Sequence, residues 1–389
     1  DTRISGYMFE SALQAGFISA GMDVTLLGPL PTPGVSYLAN SNNQVGLVIS
    51  ASHNLFEDNG IKFFNKDGQK FSSELEKRIE TKLTQEMIGV ESINLGKAAR
   101  MSDAQGRYIE FCKSSFTDLD LNGLSILLDC ANGATYSVAP KVFSELGANV
   151  ETIGASPDGI NINQNCGSTS PNALKEAIIK GSYDIGIAFD GDGDRILIVT
   201  SDGDILDGDD ILYILSKEIP ANSGVVGTLM TNKALELYFQ NEGIEFSRAD
   251  VGDKYVLQRL IERSWVLGGE PSGHIICLDS APTGDAIVAA LKFLNATKDK
   301  GFSVEKSLEG FKKFPQTLIN LKVNNPNKII ISDKFWEKVT EIELQLGEDG
   351  RVLIRPSGTE PLIRIMVESK DSGISENLCN SLADLAQRI

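Results

Sequence analysis

The stretch Asp184-Ile185-Gly186-Ile187-Ala188-Phe189-Asp190-Gly191-Asp192-Gly193-Asp194-Arg195 runs from a short apolar segment straight into three carboxylates at i, i+2 and i+4. The apolar half reads as a buried strand, and α/β folds gather their ligand-binding residues at the carboxyl ends of such strands. Three like charges this close repel strongly unless a cation joins them. In an extended loop alternate side chains share one side, and the intervening glycines let the backbone curl around an ion. A hard divalent cation with oxygen ligands, Mg²⁺ first among them, is therefore expected on Asp190, Asp192 and Asp194. A solvated acidic turn is the plainer alternative, and the apolar strand leading into the loop argues against it. A calcium-binding EF-hand starting at Asp190 would need Gly at its sixth position and Glu at its twelfth; Arg195 and Ser201 stand there instead.

Working outward, short apolar runs at 24–27, 45–49, 125–128, 185–189 and 225–229 alternate with helical patterns, as in 286–294, where Ile287, Leu291 and Leu294 share a face. This alternation is the signature of α/β domains with largely parallel sheets. The C-terminal part reads as strand 317–323, helix 333–346, strands 351–354 and 362–367, then a helix carrying Leu378, Leu382 and Leu385, an α+β layout. Turn-rich or polar stretches at 99–106, 201–208 and 312–315 mark boundaries, predicting three consecutive α/β domains with mixed sheets (1–103, 104–203, 204–312) and a C-terminal α+β domain (313–389). At roughly 100–200 residues per domain, 389 residues suit two to four domains.

The 36 basic and 53 acidic residues leave a net charge of -17, which argues against nucleic acid as the main partner. An anionic ligand must be small and met by local cations. The 41% hydrophobic and 23% charged composition is that of an ordinary globular protein, with no apolar run of membrane-spanning length. Five cysteines without a CxxC pair fit neither a zinc knuckle nor a disulfide framework, and point to a reducing cytoplasm.

Three further segments carry chemistry. Val48-Ile49-Ser50-Ala51-Ser52-His53-Asn54 ends an apolar strand in small polar residues, putting Ser52 where a nucleophile or phosphate carrier would sit, with an isolated surface Ser-His turn as the alternative; no GxSxG elbow surrounds it. Lys62 follows in Asn59-Gly60-Ile61-Lys62-Phe63. Gly268-Gly269-Glu270-Pro271-Ser272-Gly273-His274 offers a carboxylate and a hydroxyl suited to sugar hydroxyl groups. His53 and His274 are the only two histidines, and both sit in such loops. Arg355-Pro356-Ser357-Gly358-Thr359-Glu360-Pro361, with Arg351 and Arg364 near, combines arginines, hydroxyls and a glycine in a nest that suits a phosphate monoester; an ordinary hairpin turn with surface arginines is the alternative. The chain has no GxxxxGK[ST] loop, and the glycines around Gly191 lack dinucleotide spacing, so ATP and NAD fit poorly.

Taken in order, the segments Ser50 to Asn54, Asp190 to Arg195, Gly269 to His274 and Arg355 to Glu360 resemble the α-D-phosphohexomutases. So do Asp1-Thr2-Arg3-Ile4-Ser5-Gly6-Tyr7, Leu128-Asp129-Cys130-Ala131-Asn132-Gly133-Ala134 and Val251-Gly252-Asp253-Lys254-Tyr255-Val256. The likeness is greatest to bacterial members that act on glucosamine phosphates. It implies four domains around a central cleft and interconversion of glucosamine 6-phosphate and glucosamine 1-phosphate through a phosphoserine enzyme and a bisphosphorylated sugar. Under it Ser52 carries the phosphate and joins Asp190, Asp192 and Asp194 in holding Mg²⁺, Arg195 contacts the phosphoserine, and Lys62 and His53 lie at the transfer site, Lys62 first for proton transfer. Glu270, Ser272 and His274 read the sugar, and Arg355, Ser357, Gly358, Thr359 and Arg364 grip the phosphate not being transferred.

Two positions depart from the family pattern: Leu55 stands where Pro usually follows Ser-His-Asn, and Ser170 where His is common. The pattern also implies that the first domain here lacks its N-terminal part. A phosphosugar is the implied partner, nucleic acid and membrane are not, and a homodimer is left open. Family members acting on mannose or glucose phosphates, and a sensor that binds phosphosugars without turnover, are the competing readings.

Overall fold

The computed structural model describes residues 1–323, 325–356 and 361–389. They form two units, one of residues 1–228 and 249–307, the other of 229–248 and 308–389.

The first unit carries the site, and its largest sheet explains why the acidic loop lies where it does. Strands Asn149–Ile153, Ser125–Asp129 and Ile185–Phe189 run parallel in that order, and Ile196–Thr200 and Ile205–Leu206 continue the sheet antiparallel. All five residues of Ile185–Phe189 are buried, which accounts for its unbroken apolar run. Helix Asn172–Lys180 lays Leu174 and Ile178 over Leu127, Ala188 and Val199. With one face of its central strands sealed by a helix, the sheet is a fixed platform, and the tight connection from Phe189 to Ile196 leaves the aspartates at the strand's carboxyl end.

Smaller sheets supply the other site loops. Gly46–Ile49 pairs antiparallel with Ile61–Phe64, so the segments bearing Ser52 and Lys62 leave and re-enter one hairpin. Val225–Thr228 pairs parallel with Leu267–Gly269, which pairs antiparallel with Ile275–Cys277; the loop between the last two strands holds Glu270, Ser272 and His274. Val226, Val256, Leu260, Trp265 and Ile276 form the core beneath it.

In the second unit, strands Gln316–Lys322, Leu362–Ser369 and Gly350–Pro356 make an antiparallel sheet with Leu362–Ser369 central. Helices Asp333–Leu346 and Ser372–Gln387 bury Phe335, Val339, Ile342, Cys379 and Leu382 against it. This is the predicted α+β layout. Helix Lys233–Asn241 belongs to the same unit, tied in by Arg351, whose guanidinium donates to the Leu229 carbonyl at 2.8 Å and the Thr231 carbonyl at 2.7 Å and pairs with buried Glu368 at 2.7 Å. Arg351 is thus spent on internal contacts, a correction to its expected place among phosphate-gripping arginines. All five cysteines are buried and unpaired. Among the described residues no helix is long and apolar enough to cross a membrane.

Candidate active site

Ser52 sits just past strand Gly46–Ile49 in a left-handed backbone conformation, φ 50°, a strain on the order of 1–3 kcal/mol for a residue with a Cβ. Its surroundings hold it there. Buried Arg3 donates to the carbonyls of Ser52 and Asn54, both at 2.9 Å, to that of Asp58 at 3.1 Å and to that of Leu55. Asn163 donates to the same Ser52 and Asn54 carbonyls at 2.9 and 2.8 Å. The Ser50 hydroxyl receives the Ser52 N–H at 2.9 Å and donates to Asp1 at 2.7 Å. The Ser52 hydroxyl is left to point at the acidic loop, donating to Asp190 Oδ2 at 2.7 Å.

Asp190, Asp192 and Asp194 are all buried, and one oxygen from each lies within 4.8 Å of the others. The other Asp190 oxygen accepts three backbone N–H groups, from Gly193, Asp194 and Arg195, each at 3.1 Å, which wraps the loop around its first carboxylate. The glycines are required. A Cβ at Gly191 would fall 2.7 Å from the Ser52 carbonyl oxygen, and one at Gly193, where φ is 75°, would fall 2.7 Å from the Thr135 methyl.

Charge within the cluster is unevenly balanced. Burial, together with Asp194 and Asp192, pushes the Asp190 carboxyl well above the carboxylate range. Burial would raise Asp194 too, but Lys62 and His274 hold it well below. Lys62 Nζ lies 2.6 Å from Asp192 and 3.6 Å from Asp194. Burial alone would lower the Lys62 ammonium; the surrounding carboxylates win and keep it protonated. Thr32 donates a short hydrogen bond to Asp192. Asp192 Oδ1 and Asp194 Oδ1 remain buried without a hydrogen-bond partner, as does Arg195 Nε. Orphaned anionic oxygens beside clustered carboxylates are what a hard cation satisfies, so this donor set fits a divalent metal ion.

Of the other expected residues, His53 is exposed on the Ser52 loop, its imidazole lowered by partial burial and the nearby Arg195 charge. Glu270 and His274 are buried and Ser272 is exposed. Glu270 accepts the Gly252 N–H at 2.9 Å. His274 lies with Nδ1 3.6 Å from Asp194 and Nε2 3.7 Å from Asp253; burial alone would lower its pKa, and these carboxylates raise it instead. In the second unit Arg355 and Arg364 face each other across paired strands. Two cations directly opposite on a sheet disfavour one another, an arrangement that an anion would relieve. Ser357, Gly358 and Thr359 lie outside the described residues.

Sequence reasoning assigned no role to Arg3, Thr32, Lys70, Asn163 or Asp253. Arg3 and Asp253 fall in stretches whose resemblance is noted above, a signal that could have flagged them; Thr32, Lys70 and Asn163 had none.

Comparison with known proteins places the chain in a family. Four phosphoglucomutase/phosphomannomutase patterns match in order: alpha/beta/alpha domain I over residues 1–88, domain II over 106–203, domain III over 207–314 and the C-terminal domain over 318–385. A phosphoglucosamine mutase of Legionella pneumophila (strain Corby) is 51% identical, covering 100% of this chain and 88% of its own length. The phosphoglucosamine mutase 1 of Shewanella amazonensis is 52% identical, covering 99% and 88%. Among solved structures, a phosphoglucomutase/phosphomannomutase family protein from Burkholderia thailandensis superposes with a TM-score of 0.82 at 23% identity, covering 99% of this chain and 88% of that one, a likeness of fold. With all four domain patterns in sequence and relatives at half identity along the whole chain, this protein belongs to the phosphoglucomutase/phosphomannomutase, or α-D-phosphohexomutase, family.

Proposed function

We propose that the chain is a phosphoglucosamine mutase that interconverts glucosamine 6-phosphate and glucosamine 1-phosphate in the cytoplasm, with Ser52 carrying the phosphoryl group between the two ends of the sugar. The observation that carries the reading is the Ser52 hydroxyl, held in a strained turn by Arg3 and Asn163 and aimed at Asp190 at 2.7 Å. The name of the substrate follows from the two bacterial relatives at 51% and 52% identity. We place the domain boundaries after residues 103, 203 and 312.

In the forward half-reaction the Oγ–P bond of phosphoserine breaks as phosphorus bonds O1 of glucosamine 6-phosphate, whose hydroxyl proton passes to the neutral His53 imidazole. The bisphosphate turns around. Its phosphorus at O6 then returns to Ser52 Oγ, and O6 takes up a proton. Such transfers ask for alignment and charge neutralisation more than for new covalent chemistry. Lys62, kept protonated by Asp192 and Asp194, holds its proton at Nζ for the leaving sugar oxygen, with His53 on the neighbouring loop as the second proton-transfer group. Arg195, whose Nε has no partner, would face the phosphoserine. Asp190, Asp192, Asp194 and the Ser52 phosphate would hold Mg²⁺, whose positive charge offsets the charge developing on the transferring group. Glu270, Ser272 and His274 would hold sugar hydroxyls. Arg355, Ser357, Gly358, Thr359 and Arg364 would grip the resting phosphate, and such a nest accepts either end of the bisphosphate.

The test is a side-by-side assay of glucosamine, glucose and mannose 1-phosphates. Glucosamine 1-phosphate should have the highest kcat/KM; faster turnover of glucose 1-phosphate would overturn the substrate assignment. Ser52→Ala should abolish turnover and spare sugar-phosphate binding, whereas a pure sensor has no turnover to lose.

A further inference from the structure

The hairpin that supplies Lys62 to the aspartate loop carries a second lysine a few residues on. After strand Ile61–Phe64 the chain turns and comes back as an isolated bridge between Phe64 and Lys70. Lys70 forms a short ion pair with Asp253 Oδ2, both side chains being 24% exposed, and that same oxygen lies 3.7 Å from His274 Nε2. On its other side the buried His274 ring faces Asp194 at 3.6 Å. Gly284 leaves space for the ring, since a Cβ there would fall 2.2 Å from Nε2. One residue before Asp253, the Gly252 N–H donates to Glu270 at 2.9 Å. Gly252 and Asp253 therefore lie against both ends of the sugar-reading loop, Gly252 bonding Glu270 through its backbone and Asp253 facing His274 with its carboxylate. Lys70 neutralises that carboxylate, which otherwise would add its negative charge to the neighbourhood of Asp194.

We propose that Lys70 and Asp253 are positioning residues of the mutase, an ion-pair bridge that registers the Glu270–His274 loop against the aspartate loop. One hairpin thus sends Lys62 to the metal-binding loop and Lys70 to the turn behind the sugar loop, so both loops take their position from a single element. The proposal rests on the sugar-loop role assigned above. Neither residue touches the reacting atoms. Their loss should spare phosphorylation of Ser52 and weaken use of the sugar phosphate.

The experiment compares the full chain with Lys70→Met, Asp253→Asn, the double variant and Lys70→Arg. It reads kcat and KM for glucosamine 1-phosphate, sugar-phosphate binding by calorimetry, Ser52 phosphate by intact mass, and melting temperature. Each neutralising single variant should lower kcat/KM roughly tenfold, chiefly through KM, and the double should be no worse than the poorer single, because partners in one contact do not act additively. Lys70→Arg should stay within about twofold of wild type, since it keeps the cation, and Ser52 phosphate should be unchanged throughout. Single-variant losses that multiply in the double, or a Lys70→Met variant with wild-type kcat/KM and wild-type sugar-phosphate affinity, would overturn the bridge. A wild-type chain that bears phosphate on Ser52 but lacks mutase turnover would count against the functional reading alone, and the calorimetric affinities would still decide for or against the bridge.

Discussion

Withdrawing the divalent cation should loosen the first unit measurably, and the size of the effect follows from the aspartate cluster. Oxygens of Asp190, Asp192 and Asp194 lie within 4.8 Å of one another; at an effective dielectric of about 20, each charged pair at that distance repels by roughly 3.5 kcal/mol. Lys62, 2.6 Å from Asp192 and 3.6 Å from Asp194, and His274, 3.6 Å from Asp194, leave Asp192 Oδ1 and Asp194 Oδ1 without a hydrogen-bond partner, so the cluster has room for a divalent ion. An ion that binds only the folded state adds about 2.7 kcal/mol of stability at 100 times its Kd. For a unit of about 290 residues that amounts to roughly 4–5 °C in melting temperature. Scanning calorimetry in EDTA and across a magnesium titration reads the shift directly, and Asp192→Asn, which removes one ligand charge, should respond far less. Identical melting curves with and without magnesium, or an Asp192→Asn response equal to wild type, would refute the cation-site argument.

Two further predictions address other residues. Burial pushes the Asp285 carboxyl up to about 6, although it caps helix Ala286–Thr297 through the Ile287 and Val288 N–H groups and accepts from the Tyr108 hydroxyl at 2.9 Å. The folded state thus binds this proton more tightly than the unfolded chain, so the stabilisation is complete below about pH 4 and is lost as pH rises through about 6. Asp285→Asn, which can still cap, should gain on wild type by roughly 2–3 kcal/mol between pH 4 and pH 7 in denaturant titrations; a pH-independent difference would count against the buried-proton argument. In the second unit, Arg364→Ala should relieve the cross-strand repulsion with Arg355 and stabilise the fold by up to about 1 kcal/mol, while raising KM for the sugar phosphate. A variant that loses stability and keeps its KM would contradict an anion role for the pair.

How far the sequence alone reached depended on sequence distance. The Asp190–Arg195 loop was legible because strand, ligands and permissive glycines are contiguous, and its chemistry follows from local spacing. The place of Ser52 at a strand's carboxyl end was legible for the same reason, as small polar residues ending an apolar strand, but its contact with Asp190 was not. What positions these groups was not legible. Arg3 reaches carbonyls about fifty residues away, Asn163 reaches Ser52 across 111 positions, Thr32 meets Asp192 across 160 and Lys70 meets Asp253 across 183. Such contacts exist only once separate sheets are packed, and no local pattern announces them. Arg351 shows the converse hazard. It stands beside a phosphate-like motif, yet Glu368 on the adjacent strand and two carbonyls near helix Lys233–Asn241 use its donors, so counting arginines in a stretch overstated the cations free for a ligand.

The central claim is that Ser52 carries a phosphoryl group in relay. Its most direct test is to incubate the purified chain with glucosamine 1,6-bisphosphate and magnesium, then map phosphopeptides alongside intact mass. One phosphate per chain, located on Ser52 and discharged on addition of glucosamine 6-phosphate, is the predicted result. A chain that stays unphosphorylated at Ser52 while turning over substrate, or that carries the phosphate on another residue, would contradict the account.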